Sequence, residues 1–154
     1  ADLGPTKVSK RLAQDPDLFS ALAAHATPDE LVILQRAVEA GKPLSKLPYT
    51  PDQLARIGQD IIEGRSILTP LIHFGLGGAG VGYFAGVPGA GPAVGAIVAA
   101  RLGLKALDYA IGNRPVAEGL RQLGRLQPGS PDVVRILSAV AGEVAGPRRL
   151  GKQD

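Results

Sequence analysis

The chain has 154 residues, a net charge of +3, and no Cys, Met or Trp. That excludes disulfide and thiol chemistry, and with three Tyr and three Phe it also excludes a core built on aromatic side chains. Leu, Ile, Val and Ala must do the packing, in one domain or two small ones.

The opening ADLGPTKVSKRLAQDPD is polar and charged, unlike a signal peptide. With no Met at position 1, the chain is expected to be a processed product or a piece of something longer. Helix starts follow in a repeated form: Asp15-Pro16-Asp17, Thr27-Pro28-Asp29, Thr50-Pro51-Asp52 and Ser130-Pro131-Asp132. Each offers a capping oxygen at N-cap, a proline at N1 and an acid at the positive end of the helix dipole. Thr27 with Glu30 adds a capping box. The uneven spacing makes this shared start chemistry rather than a solenoid repeat. Helices are predicted over Thr6–Ala13, Pro16–His25, Pro28–Ala40 and Pro51–Glu63, with Gly41 and Gly64 at the C′ positions that favour glycine. Apolar stripes at helical spacing, Leu31, Leu34 and Val38 in one helix and Leu54, Ile57, Ile61 and Ile62 in another, mark the faces to be buried.

Ser66 to Ala100 is 35 residues without a single Asp, Glu, Lys or Arg. Val87-Pro88-Gly89-Ala90-Gly91-Pro92 interrupts it, which predicts a helical hairpin with arms Ile67–Gly86 and Ala93–Gly112. Each arm is 20 residues, roughly the 30 Å of a hydrocarbon core, although Arg101, Lys105 and Asp108 make the second half of the second arm amphipathic. Small residues recur every four positions: Gly78, Gly82 and Gly86 in the first arm, and Gly91, Gly95, Ala99 and Gly103 in the second. Such faces let helix backbones approach closely, the pattern of a glycine zipper. Each interior glycine costs a helix about 1 kcal/mol relative to Ala, so the first arm needs a tight partner or lipid to be helical. Burial in protein and contact with a membrane both satisfy that need. Gly75-x-Gly77-x-x-Gly80 matches a dinucleotide fingerprint in letters only, because no acid follows before Asp108 and no series of βαβ units follows.

Beyond the hairpin, a short helix is predicted near Arg114–Leu123 and a last one over Pro131–Val144, ended by Gly146-Pro147. Residues 101–154 carry nine basic and five acidic side chains and so supply the basic excess. Arg114, Arg121 and Arg125, at offsets of seven and eleven, are expected near one face toward an anionic surface, DNA or lipid. The expected fold is all-α: residues 1–65 as a bundle of short helices, 66–112 as the Gly-rich apolar hairpin, 113–145 as basic helices and 146–154 as a flexible tail.

No catalytic, cofactor or metal constellation is expected. His25 and His73 stand alone, the first at a helix end where a cation complements the dipole, the second inside the apolar arm where it is packed or acts as a protonation switch. No H-x-x-x-H, C-x-x-C or G-x-S-x-G occurs. The chain is therefore not expected to be an enzyme.

From Asp15 to Leu123 the chain runs from proline-capped helices through the Gly/Ala hairpin into LGLKALDYAIGNRPVAEGLRQL, with the pair Asn113-Arg114. This stretch resembles segments of the DNA-ejection (internal virion) proteins of short-tailed bacteriophages and related prophages. The resemblance implies a virion protein expelled with DNA that forms a channel across the host cell envelope. Its partners would be copies of itself and other ejection proteins, with an anionic membrane or non-specific DNA backbone as further contacts. Such proteins are usually much longer than this chain. Two other classes stay open: a bacterial glycine-zipper envelope or pore-forming protein, and a soluble helical interaction module whose hairpin is core.

Overall fold

A computed structural model describes the backbone of residues 5–70, 91–127 and 129–153, and the side chains of 8–70, 95–127 and 129–142. The described residues are all-helical, without a strand. In chain order they form α1 (Pro5–Gln14), α2 (Pro16–His25), α3 (Pro28–Ala40), a 3₁₀ turn (Leu44–Lys46), α4 (Pro51–Ile62), the single turn α5 (Leu68–Pro70), α6 (Gly91–Gly112), α7 (Arg114–Arg121), a second 3₁₀ turn (Gln122–Arg125) and α8 (Pro131–Gln153).

The expected start chemistry is present in detail. Asp15 accepts the Leu18 N–H at 3.0 Å, and Ser130 accepts the Asp132 N–H at 3.3 Å. Thr27 and Glu30 close a reciprocal capping box, and Thr50 with Gln53 closes a second one. Asn113 caps α7 by accepting the Val116 N–H at 3.4 Å. Gly41 and Gly64 take left-handed φ of 67° and 80°, a conformation that L side chains resist, and so stop α3 and α4.

α6 is the central helix. It packs most extensively on α4 and also touches α1, the 3₁₀ turn 44–46, α5, α7 and α8, while α2 covers α7 and the second 3₁₀ turn. Between residues 95 and 112 every position is buried or half-buried except Arg101 and Lys105. A helix that is apolar nearly all round belongs in a core. The buried side chains form one cluster running from Val8 in α1 to Ala141 in α8, so the first three expected segments share a single core.

Several expectations are adjusted. α6 begins at Gly91 rather than Ala93. The buried face of α3 is centred on Ile33, Leu34 and Ala37, with Leu31 and Val38 at its edges. α8 runs through Gly146-Pro147 to Gln153, where a break and a flexible tail were expected. Pro147 has no N–H for the Glu143 carbonyl, so the helix passes it with one ladder bond fewer. Most of the first hairpin arm, with Gly78, Gly82, Gly86 and His73, lies outside the described residues.

Candidate functional site: the small-residue helix and its anchors

Three of the second arm's four ladder residues are packed inside the chain, and the surroundings of the fourth, Gly91, lie outside the described side chains. Gly95 and Gly103 are buried and Ala99 is 1% exposed. A backbone-close crossing uses a glycine on the opposite helix, Gly58 of α4. A Cβ placed on Gly58 would stand 1.6 Å from the Ala96 carbonyl oxygen and 2.6 Å from its Cα. The two helices therefore meet backbone to backbone, and no L side chain fits between them. Gly58 lies between Ile57 and Ile61 on the buried face of α4. It was not among the expected packing positions because α4 carries only this one small residue on that face, so no ladder marks it.

A buried carboxylate, Glu30, and a half-buried one, Asp108, tie the apolar segment to the N-terminal bundle. Glu30 is 6% exposed; its Oε1 accepts the Thr27 N–H at 2.8 Å, and its Oε2 accepts the Ser66 hydroxyl. Ser66 Oγ in turn accepts the Leu68 N–H at 2.9 Å, fixing the first turn of the charge-free stretch. Burial pushes the Glu30 carboxyl above the usual range, the Ser66 and Thr27 bonds oppose that rise, and Asp60 adds to it. At the other end Asp108 of α6 accepts Leu44 N–H at 2.7 Å, Ser45 N–H at 2.9 Å and the Ser45 hydroxyl at 2.6 Å. Asp108 was expected to belong to a polar half of the arm. It instead caps the 3₁₀ turn from across the fold, a role that spacing along one helix does not reveal.

The three arginines expected to share an anionic face have different surroundings. Arg121 donates from Nε to Asp15 Oδ2 at 2.7 Å, and its Nη2 bonds the same oxygen. Burial pulls the Asp15 carboxyl up, but the Leu18 N–H and the Arg121 guanidinium outweigh it and hold it below the usual value. Arg114 reaches Glu118 one turn on at 3.9 Å and is 84% exposed. Arg125 is exposed on the 3₁₀ turn, where three residues per turn rotate it off the α-helical register assumed from the offsets.

His25 Nε2 donates to the Leu123 carbonyl at 2.7 Å, joining α2 to the second 3₁₀ turn. Beside it lies a groove of about 540 Å³, walled by Ala24, Ile67, Pro70, Val133 and Leu137. Its polar side chains are already bonded: His25 to Leu123, Ser66 to Glu30, Thr69 Oγ1 to the Ile61 carbonyl at 2.8 Å, and Arg65 to Asp60. The groove is an apolar surface without a free polar anchor. Among the described residues no three His, Cys, Asp or Glu side chains group as metal ligands, and no helix is long and apolar enough to cross a membrane.

These features define the class as a small all-helical bundle organised around a buried, small-residue helix. Compared with family models, with curated proteins and with solved structures, the chain matches none.

Proposed function

We propose that this chain is a non-catalytic structural component of a phage genome-ejection apparatus, a helical bundle that carries a Gly-rich apolar segment for assembly with further copies of itself. The observation that carries the reading is the Gly58–Ala96 contact. Within one chain it already joins two helices by the backbone-close packing that the proposal requires between copies. The Gly78, Gly82 and Gly86 ladder gives a second small-residue face, and the resemblance from Asp15 to Leu123 supplies the virion setting. Contact with the host envelope and with DNA belongs to the same proposal.

One observation favours the soluble interaction module instead: Gly95, Ala99 and Gly103 are consumed inside the chain, leaving that face nothing to offer a second copy. Light scattering on the purified chain separates the two. The ejection reading expects a discrete homo-oligomer that dissociates in Gly82→Leu, because a bulky side chain holds backbones apart. A monomer unchanged by Gly82→Leu, and absent from floated anionic liposomes, makes the module reading correct.

A further inference from the structure

We infer that the cleft between the 3₁₀ turn 44–46 and α6, framed by Lys46, Arg101 and Lys105, is a binding site for a phosphate group. The cleft has a volume of about 220 Å³, with Tyr49, Leu54 and Leu104 along its floor. Small-molecule pockets usually run to roughly 300–1,000 Å³, so this one suits a single anionic group and the few atoms next to it.

The charges are the stronger observation. Arg101 and Lys105 are the only exposed residues between 95 and 112 of the central helix, and they stand at i and i+4 on one face. Like charges at that spacing repel. Lys46 closes the cleft from the opposite element. Neither Arg101 nor Lys105 has a side-chain ion pair or hydrogen bond among the described residues, and the Lys46 ammonium, without an ion pair within 4.0 Å, acts on the Asp108 carboxylate only through its charge. Most of the other described arginines are engaged: Arg11 donates to the Ile111 carbonyl, Arg36 to the Pro48 carbonyl, and Arg56, Arg65, Arg114, Arg121 and Arg135 reach carboxylates, whereas Arg125 has no such partner among the described residues. Asp108, whose carboxyl burial pushes up and the Lys46 charge pulls down, already accepts three donors from Leu44 and Ser45. Three cations thus line one concavity with an apolar floor, and only Lys46 has a carboxylate, Asp108, near enough to feel its charge. A phosphate oxyanion relieves their repulsion and accepts from both the forked guanidinium and the ammonium groups. A lipid head group and free phosphate share that chemistry. The site needs neither oligomer nor channel, so it stands apart from the ejection reading.

The test is a titration of the full chain with inorganic phosphate and with pyrophosphate at constant ionic strength, followed by amide NMR shifts. Saturable shifts confined to Lys46, Tyr49, Arg101 and Leu102 are expected. They should weaken roughly tenfold in Arg101→Gln/Lys105→Gln, as expected for lost charge-assisted bonds, and stay unchanged in Arg135→Gln, whose guanidinium pairs with Asp132. Lys46→Gln, on a different element, should weaken them independently, and circular dichroism should show all variants helical. Co-sedimentation with phosphatidylcholine vesicles containing phosphatidylglycerol distinguishes the sources. Binding lost in the double variant identifies the lipid phosphate; phosphate binding with no vesicle dependence on these residues identifies the free anion. Shifts that never saturate, or that saturate equally in the double variant, overturn the site. Retention of duplex DNA through Arg101 and Lys105 without any phosphate or vesicle binding also overturns it, in favour of a nucleic-acid surface.

Discussion

Glu30 is the residue whose chemistry departs furthest from what its position in the sequence implies. The Thr27–Glu30 capping box was legible from the letters alone, because capping is a local interaction over one turn. The Ser66 hydroxyl, 36 residues away, was not. An acid whose pKa is higher folded than unfolded binds its proton more tightly when folded. Folding stability therefore rises as pH falls from above the folded value toward the ordinary 4.5, and is flat below it. The urea midpoint of the native chain should increase between pH 7 and pH 5 by more than that of Glu30→Gln. Gln supports the same box, as Gln53 does beside Thr50. Equal pH slopes in the two proteins would remove Glu30 from this role. Asp15 has the opposite sign. Its folded pKa is lowered, so its stabilisation is present above the ordinary 3.8 and is lost as pH falls through the folded value. Arg121→Gln should cost about 0.5–1 kcal/mol near neutrality, since solvent screens a half-exposed guanidinium, and progressively less in acid. A cost that is the same at neutral and strongly acidic pH would show that the pair contributes nothing.

Helices show most directly what a sequence reveals and what it withholds. The Xaa-Pro-Asp starts at 15, 27, 50 and 130 sit where predicted, because each rests on groups within three residues of one another. Thr50→Ala should lower stability by about 1 kcal/mol through the lost cap. The end of α8 was misplaced for a related reason: Pro147 penalises a helix without forbidding it, and the letters do not show which outcome prevails. The α4–α6 crossing uses residues that the sequence patterns did not single out. The expected ladder of α6 was Gly91, Gly95, Ala99 and Gly103, whereas the contact falls on Ala96 beside it, and nothing marked α4 as the partner, because Ala96 is far from Gly58 in sequence. Gly58→Ala discriminates sharply. In a free helix the change is worth about 1 kcal/mol in favour of Ala. Here the added methyl meets a backbone carbonyl that cannot rotate away, and the net effect should be a loss of about 2 kcal/mol or more. Chemical denaturation decides it: a stabilised Gly58→Ala variant would mean that the helices do not cross at this point.

At the scale of the whole molecule, the all-helical class followed from 3.6-residue stripes and the lack of alternating patterns, and the described residues agree with it. The arrangement was less legible. Bilayer-length arms suggested a segment apart from the bundle, yet α6 is enclosed by α1, α4, α7 and α8 and shares their core. Apolar length alone does not distinguish a helix wrapped by lipid from one wrapped by protein. Partners decide, and in this chain they come from both sides of α6 in the sequence, α4 foremost. Removing residues 1–14 should therefore open the C-terminal end of α6, where Arg11 donates to the Ile111 carbonyl at 2.7 Å. Hydrogen exchange should quicken at the amides of 107–112 in that truncation; unchanged protection there would make α1 dispensable to the central helix. The same bonds bear on how fast the chain folds. Arg11 to Ile111 spans 100 residues, His25 to Leu123 spans 98, and Asp15 to Arg121 spans 106. A bundle of consecutive helical hairpins closes short loops and folds quickly, whereas this one must close its longest loops before α6 is fully enclosed. Stopped-flow refolding should be slower than for up-and-down bundles of similar length. During synthesis, α1 and α2 emerge long before their partners on α6 and α7 and must wait for them.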